Sequence, residues 1–142
     1  MEETLFLARD SAGQGRIRFV TELAALPPAE VDRGQIKQVL LNVLVNAAQA
    51  ISGNGTITIT TAADGNEVSV RVRDDGCGIP AEVRERIFDP FFSTKPTGTG
   101  LGMAVARRII EDHKGRIIVA SAEGEGTSIT LILPCLPDEA NP

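Results

Sequence analysis

The stretch from Gln35 to Ile51 contains neither glycine nor proline, and it repeats apolar side chains at Ile36, Val39, Leu40, Val43, Leu44, Ala47 and Ile51. That spacing is the period of an amphipathic helix. Asp32 precedes it as an N-cap, and Gly53 lies just past its expected end. The opposite side is unusual. Gln38, Asn42, Asn46 and Gln49 share one stripe, bordered by Leu41 and Val45. A wet helix face ordinarily carries Lys and Glu. Amides instead offer uncharged donors and acceptors together. The stripe reads as the wall of a pocket. A buried helix whose amides cap loops or hold water accounts for it equally well until the rest of the chain is considered.

Around this helix the pattern alternates. Arg16–Leu23 and Thr56–Thr61 read as strands, as does the run Val68, Val70, Val72. Asp64-Gly65 marks a hairpin turn between the second and third of these. Leu101–His113 has a second helical period, and Arg116–Ser121 and Thr127–Leu133 are two further strands around Gly124-Glu125-Gly126. The order β, α, β-β, loop, α, β-β leaves no helix between most strand pairs. It predicts an α+β two-layer sandwich: a mixed, mostly antiparallel sheet with helices on one face. Residues 1–15 read as the end of an upstream helix and a linker, 16–134 as the domain and 135–142 as a polar tail, so the chain is expected to be an excised domain.

A length of 142 residues with 42% hydrophobic and 23% charged side chains fits one globular domain. A net charge of −5 argues against a nucleic-acid surface. Nothing resembles a signal peptide or a membrane span, and Cys77 and Cys135 are too few for a disulfide framework. The expected setting is cytoplasmic. With one histidine and isolated cysteines, a Cys/His metal site is not expected.

Chemistry concentrates in two segments. Asp74-Asp75-Gly76-Cys77-Gly78-Ile79-Pro80 ends the hairpin. Its glycines allow close backbone approach to a flat ligand, and a strand-end carboxylate can accept from an exocyclic amine. An aspartate capping the short helix at Ala81–Arg86 is the plainer alternative. The second segment, Phe88 to Met103, holds three of the five phenylalanines (Phe88, Phe91 and Phe92), then Lys95 and three alternating glycines before a helix. A Gly-rich helix start is an anion site, and the glycines supply the hinges of a lid. It is not a P-loop, because Gly-Lys-Ser/Thr is missing, nor a dinucleotide fingerprint, because no strand precedes it.

Taken in order, Asn42…Asn46-Ala47, Asp74-Asp75-Gly76-Cys77-Gly78-Ile79, Phe88-Asp89-Pro90-Phe91-Phe92-Ser93-Thr94-Lys95, Gly98-Thr99-Gly100-Leu101-Gly102 and Gly124-Glu125-Gly126-Thr127 resemble the N, G1, F, G2 and G3 boxes of sensor histidine kinases. The likeness spans about Arg16 to Pro134, and the variants look most like the nitrogen-regulation type. It implies the Bergerat ATP-binding fold of the gyrase, Hsp90 and MutL ATPases, with ATP and Mg²⁺ as ligands. Carried over by position, Asp74 would bind the adenine amino group, with Gly76, Gly78 and Ile79 shaping the adenine pocket. Asn46 would ligate Mg²⁺, with Asn42 and Gln49 on the phosphate side. Gly98, Thr99, Gly100, Leu101, Gly102 and Met103 would wrap the phosphates. Thr127 would support Asp74, and Lys95 would meet the γ-phosphate. Asn42 and Lys95 are thereby the catalytic candidates. Three positions depart from the pattern: Gln49 where many members carry Lys, Lys114 for the first glycine of His-Gly-Gly, and Ile129 for a common Phe.

The reaction implied is γ-phosphoryl transfer to a histidine on separate dimerisation helices of the same kinase, then relay to a response-regulator receiver domain. The fragment itself is expected to be monomeric and to bind no nucleic acid. His113 matches a structural position of the family rather than the acceptor. A gyrase-like ATP hydrolase would need a general-base carboxylate one turn before Asn46, where this chain has Asn42. A degenerate nucleotide-sensing module is the other alternative.

Overall fold

The computed structural model describes residues 17–24, 31–51, 53–89, 102–122 and 124–135. Their elements are β1 (Ile17–Glu22), α1 (Arg33–Ala50), β2 (Gly55–Asp64), β3 (Glu67–Asp74), α2 (Ala81–Arg84), α3 (Gly102–Asp112), β4 (Arg116–Ala122) and β5 (Gly126–Pro134). The five strands form one sheet in the order β1-β2-β3-β5-β4. Only β1 and β2 are parallel, and α1 makes the long crossover such a pair requires. The other three pairings are antiparallel. This is the expected mixed α+β sheet.

Alternation along each strand sorts the faces. Ile57 and Ile59 from β2, Val68 and Val72 from β3, and Ile129, Leu131 and Leu133 from β5 all turn to one side. There they meet Val39, Val43, Leu44, Ala47 and Ala48 of α1 and Met103, Ala106, Ile109 and Ile110 of α3. Both long helices therefore cover the same face. Small residues at Ala47, Ala48 and Ala106, each at most 2% exposed, let helices and sheet approach closely. The outer face carries Thr58, Thr60, Arg71, Arg73 and Thr130.

The helix ends are made by identifiable side chains. α1 starts two residues before the expected Gln35 because Asp32 Oδ1 accepts the Gln35 N–H at 3.0 Å. The ring of His113 then joins the two helices. Asp32 N–H donates to His113 Nε2 at 3.0 Å, so the ring proton sits on Nδ1 and is donated to Ile109 O at 2.8 Å. Both ring nitrogens are thus engaged in structure.

α3 closes in a Schellman motif: Lys114 N–H bonds Glu111 O at 2.9 Å and Gly115 N–H bonds Ile110 O at 2.9 Å. That motif requires a left-handed residue, and Lys114 occupies it with φ 64°, among the described residues the only positive φ outside glycine. Restoring glycine should relieve strain. Lys114→Gly is expected to raise stability by about 0.5–1 kcal/mol, the left-handed strain less the entropy of a freer unfolded chain. Denaturant titration reads it as a higher midpoint with unchanged slope.

Candidate functional site

The amide stripe of α1 faces the start of α3. Gln38 Nε2 donates to Asn42 Oδ1 at 2.7 Å, and Asn42 Nδ2 donates to Gly102 O at 2.9 Å. Asn42 therefore holds the first residue of α3, with both ends of its amide engaged. Asn46, one turn further on, is half-buried, and Gln49 is exposed.

β3 ends beside this helix. Asp74 is 4% exposed and stands opposite Thr127 of β5, also 4% exposed. Asp74 Oδ1 accepts Gly76 N–H at 2.9 Å. The neighbouring carboxylate is used differently. Asp75 Oδ1 accepts Thr56 N–H at 2.9 Å, and Asp75 lies exposed. Of the two adjacent acids, only Asp74 turns inward.

The loop after Asp74 is fastened at three points. Cys77 N–H bonds Ala50 O at 3.1 Å, and Cys77 O accepts Gly124 N–H at 2.7 Å. Ile79 N–H donates to Ser121 Oγ at 2.8 Å. The first contact explains Gly76, where a Cβ would lie 2.4 Å from Ala50 O. Phe88 is half-buried, with the Arg107 guanidinium 5.2 Å from its ring centroid, which ties the segment after α2 to α3.

The structure thus brings Asp74, Gly76, Ile79 and Thr127 together at one end of the sheet, while Asn42 and Asn46 lie along α1, which meets this loop at Ala50. Gly78 lies in the same loop with φ 72°. Gly102 opens α3 and is exposed, whereas the Met103 side chain is packed in the core. Lys95, Gly98, Thr99, Gly100 and Leu101 lie outside the described residues, as do Phe91 and Phe92. Sequence reasoning missed Ser121. Its hydroxyl touches Ile79 N–H, Gly126 O and Thr127 Oγ1, and its carbonyl accepts from Arg84 at 3.1 Å.

The donor set bears on which groups fit here. Among the described residues no cluster of three or more His, Cys, Asp or Glu exists to cage a metal ion. Amide oxygens on α1 suit a hard cation that keeps most of its shell in water and phosphate oxygens, as Mg²⁺ does. A concavity of about 720 Å³ lined by Arg71, Arg73, Ala120, Ser121, Thr127 and Ser128 among others adjoins the Ser121–Thr127 pair, and it includes neither Asp74 nor any residue of α1.

This fold is that of a nucleotide-binding class. The chain belongs to the histidine kinase-, DNA gyrase B- and HSP90-like ATPase family, whose model matches residues 31–137. It is 48% identical over 139 residues to the signal transduction histidine-protein kinase AtoS of Escherichia coli K12, covering 96% of this chain and 23% of that protein. It is 40% identical over 156 residues to the sensory histidine kinase/phosphatase NtrB of Rhodobacter capsulatus, covering 98% of this chain and 44% of that one. The catalytic domain of the histidine kinase ThkA superposes with a TM-score of 0.80 at 38% identity, over 94% of this chain and 89% of that chain. The chain thus spans less than half the length of these curated relatives. Among the described residues no helix is long and apolar enough to cross a membrane.

Proposed function

We propose that this chain is the catalytic, ATP-binding domain of a sensor histidine kinase. It binds Mg-ATP and delivers the γ-phosphoryl group to a histidine on the dimerisation helices of its parent, from which a response regulator takes it. The observation that carries this reading is the buried Asp74 at the end of β3, opposite the equally buried Thr127 and followed by a loop bonded to Ala50 at the end of α1.

The mechanism divides among these residues. Asp74 accepts from the adenine amine, and the loop of Gly76 to Ile79, fastened to Ala50 and Ser121, closes over the flat base. Asn46 would hold the Mg²⁺ ion, which when bound neutralises phosphate oxygens. Asn42 holds the start of α3 at Gly102 on the phosphate side. Phosphoryl transfer of this kind is mostly positioning and charge stabilisation. Lys95 and the glycines before α3 are assigned to the γ- and β-phosphates by position in the family pattern alone.

The hydrolase reading fails on Asn42. A base one turn before Asn46 would have to be a carboxylate, and here an amide stands there with both groups committed to Gln38 and Gly102. The isolated domain should therefore bind Mg-ATP, release phosphate hardly above background and leave itself unlabelled. Adding the parent's dimerisation helices with γ-labelled ATP should give acid-labile label on those helices. Rapid turnover by the domain alone, or label on His113, would overturn this reading.

A further inference from the structure

Ser121 lies at the join of three segments: β4, the loop after Asp74 and the start of β5. Its hydroxyl has one proton and two lone pairs. Three groups sit within bonding distance: Ile79 N at 2.8 Å, Gly126 O at 2.9 Å and Thr127 Oγ1 at 2.9 Å. A backbone N–H can only donate, so Ile79 takes one lone pair. A carbonyl can only accept, so Gly126 takes the proton. The one role left for Thr127 is donor, filling the second lone pair. Only this arrangement satisfies all three contacts, and it spends the Thr127 proton on Ser121.

The consequence falls on the neighbouring base pocket. Thr127 stands opposite Asp74 in the sheet, and both are buried. With its proton held by Ser121, Thr127 offers the pocket lone pairs only. An ionised Asp74 likewise only accepts. We propose that Ser121 is a positioning residue that fixes the direction of the Thr127 hydroxyl, so that the base pocket presents acceptors alone and selects a base bearing an exocyclic amine over one bearing a carbonyl. This rests on the nucleotide reading above and extends it to base specificity. Without Ser121, the Thr127 hydroxyl can rotate and donate, and a carbonyl base then finds the partner that the native pocket denies it.

The test is equilibrium binding of ATP and of inosine triphosphate, which carries a carbonyl where ATP carries the amine. The wild type should favour ATP. Ser121→Ala should shrink the ATP-to-inosine-triphosphate affinity ratio by roughly fivefold, about one hydrogen bond's worth of discrimination. Ser121→Thr, which keeps the hydroxyl, should restore the ratio. Thr127→Val, which leaves Ser121 in place, should also shrink it, and should not add to Ser121→Ala in the double variant. A folded Ser121→Ala protein that loses both nucleotides equally would make Ser121 a loop fastener only and overturn the proposal, as would an unchanged ratio in Thr127→Val. Wild-type protein that binds neither nucleotide would overturn the nucleotide reading itself, and this inference with it.

Discussion

Gly126→Ala should destabilise the domain by about 2–6 kcal/mol, enough to remove much of the roughly 5–15 kcal/mol that holds an ordinary domain together. Two effects add. Gly126 has φ 89°, where a side chain is strained by about 1–3 kcal/mol. A Cβ there would also lie 2.2 Å from Asp74 O and 3.1 Å from Asp75 Cα. Neither of those atoms belongs to a flexible side chain, so the β3 end must shift, and such overpacking costs about 1–3 kcal/mol more. That shift would carry the Asp74 carboxylate with it. Gly124→Ala is the internal control. Gly124 has φ 81° but nothing within 4 Å of the added carbon, so only the backbone strain applies. Denaturant midpoints of the two variants should differ clearly. If Gly126→Ala is no worse than Gly124→Ala, the close approach of β5 to Asp74 is wrong.

What can be read from the sequence follows from how local its physics is. The α1 period and its Asp32 cap depend on residues three or four apart, and both stand in the structure, with a boundary shift of two residues at the start. The strands are legible because Thr56–Thr61 and Val68–Arg73 alternate β-branched and polar side chains. The strand order β1-β2-β3-β5-β4 is not, because the pairing of Asp74 with Thr127 joins distant parts of the chain and leaves no periodic trace. Ser121 escapes for the same reason. A serine near a strand end is ordinary, and only the fold brings it to Ile79, 42 positions away. Asn42 is visible as a member of the amide stripe, and family resemblance assigns it to the phosphate side. The contact that occupies its amide, Gly102 O, lies 60 positions along the chain. Lys114 shows the reverse case: the departure from a family glycine is plain in sequence, and its left-handed φ explains why glycine is usual there.

Asp74→Asn should weaken ATP and ADP binding by about 1.5–3 kcal/mol, roughly ten- to a hundredfold, while leaving the fold intact. The fold should survive because Asn keeps an oxygen where Asp74 Oδ1 now accepts Gly76 N–H at 2.9 Å. Removing a charge from a site only 4% exposed also removes a desolvation penalty. Binding should not survive, for a reason of geometry. If the amide oxygen keeps the Gly76 bond, the amide N–H groups are left to face the adenine amine, donor against donor. If the amide flips to offer its oxygen to the base, Gly76 N–H loses its acceptor and meets an N–H group instead. Neither orientation satisfies both partners, which the carboxylate does with its two oxygens. Asp75→Asn is the matched control, since Asp75 is exposed and bonded to Thr56 N–H. It should bind nucleotide as the wild type does. Calorimetric titration of all three proteins with ATP decides the matter: superimposable curves for wild type and Asp74→Asn would remove Asp74 from the site, and a loss shared equally by Asp75→Asn would trace the effect to net charge rather than to the hydrogen bond.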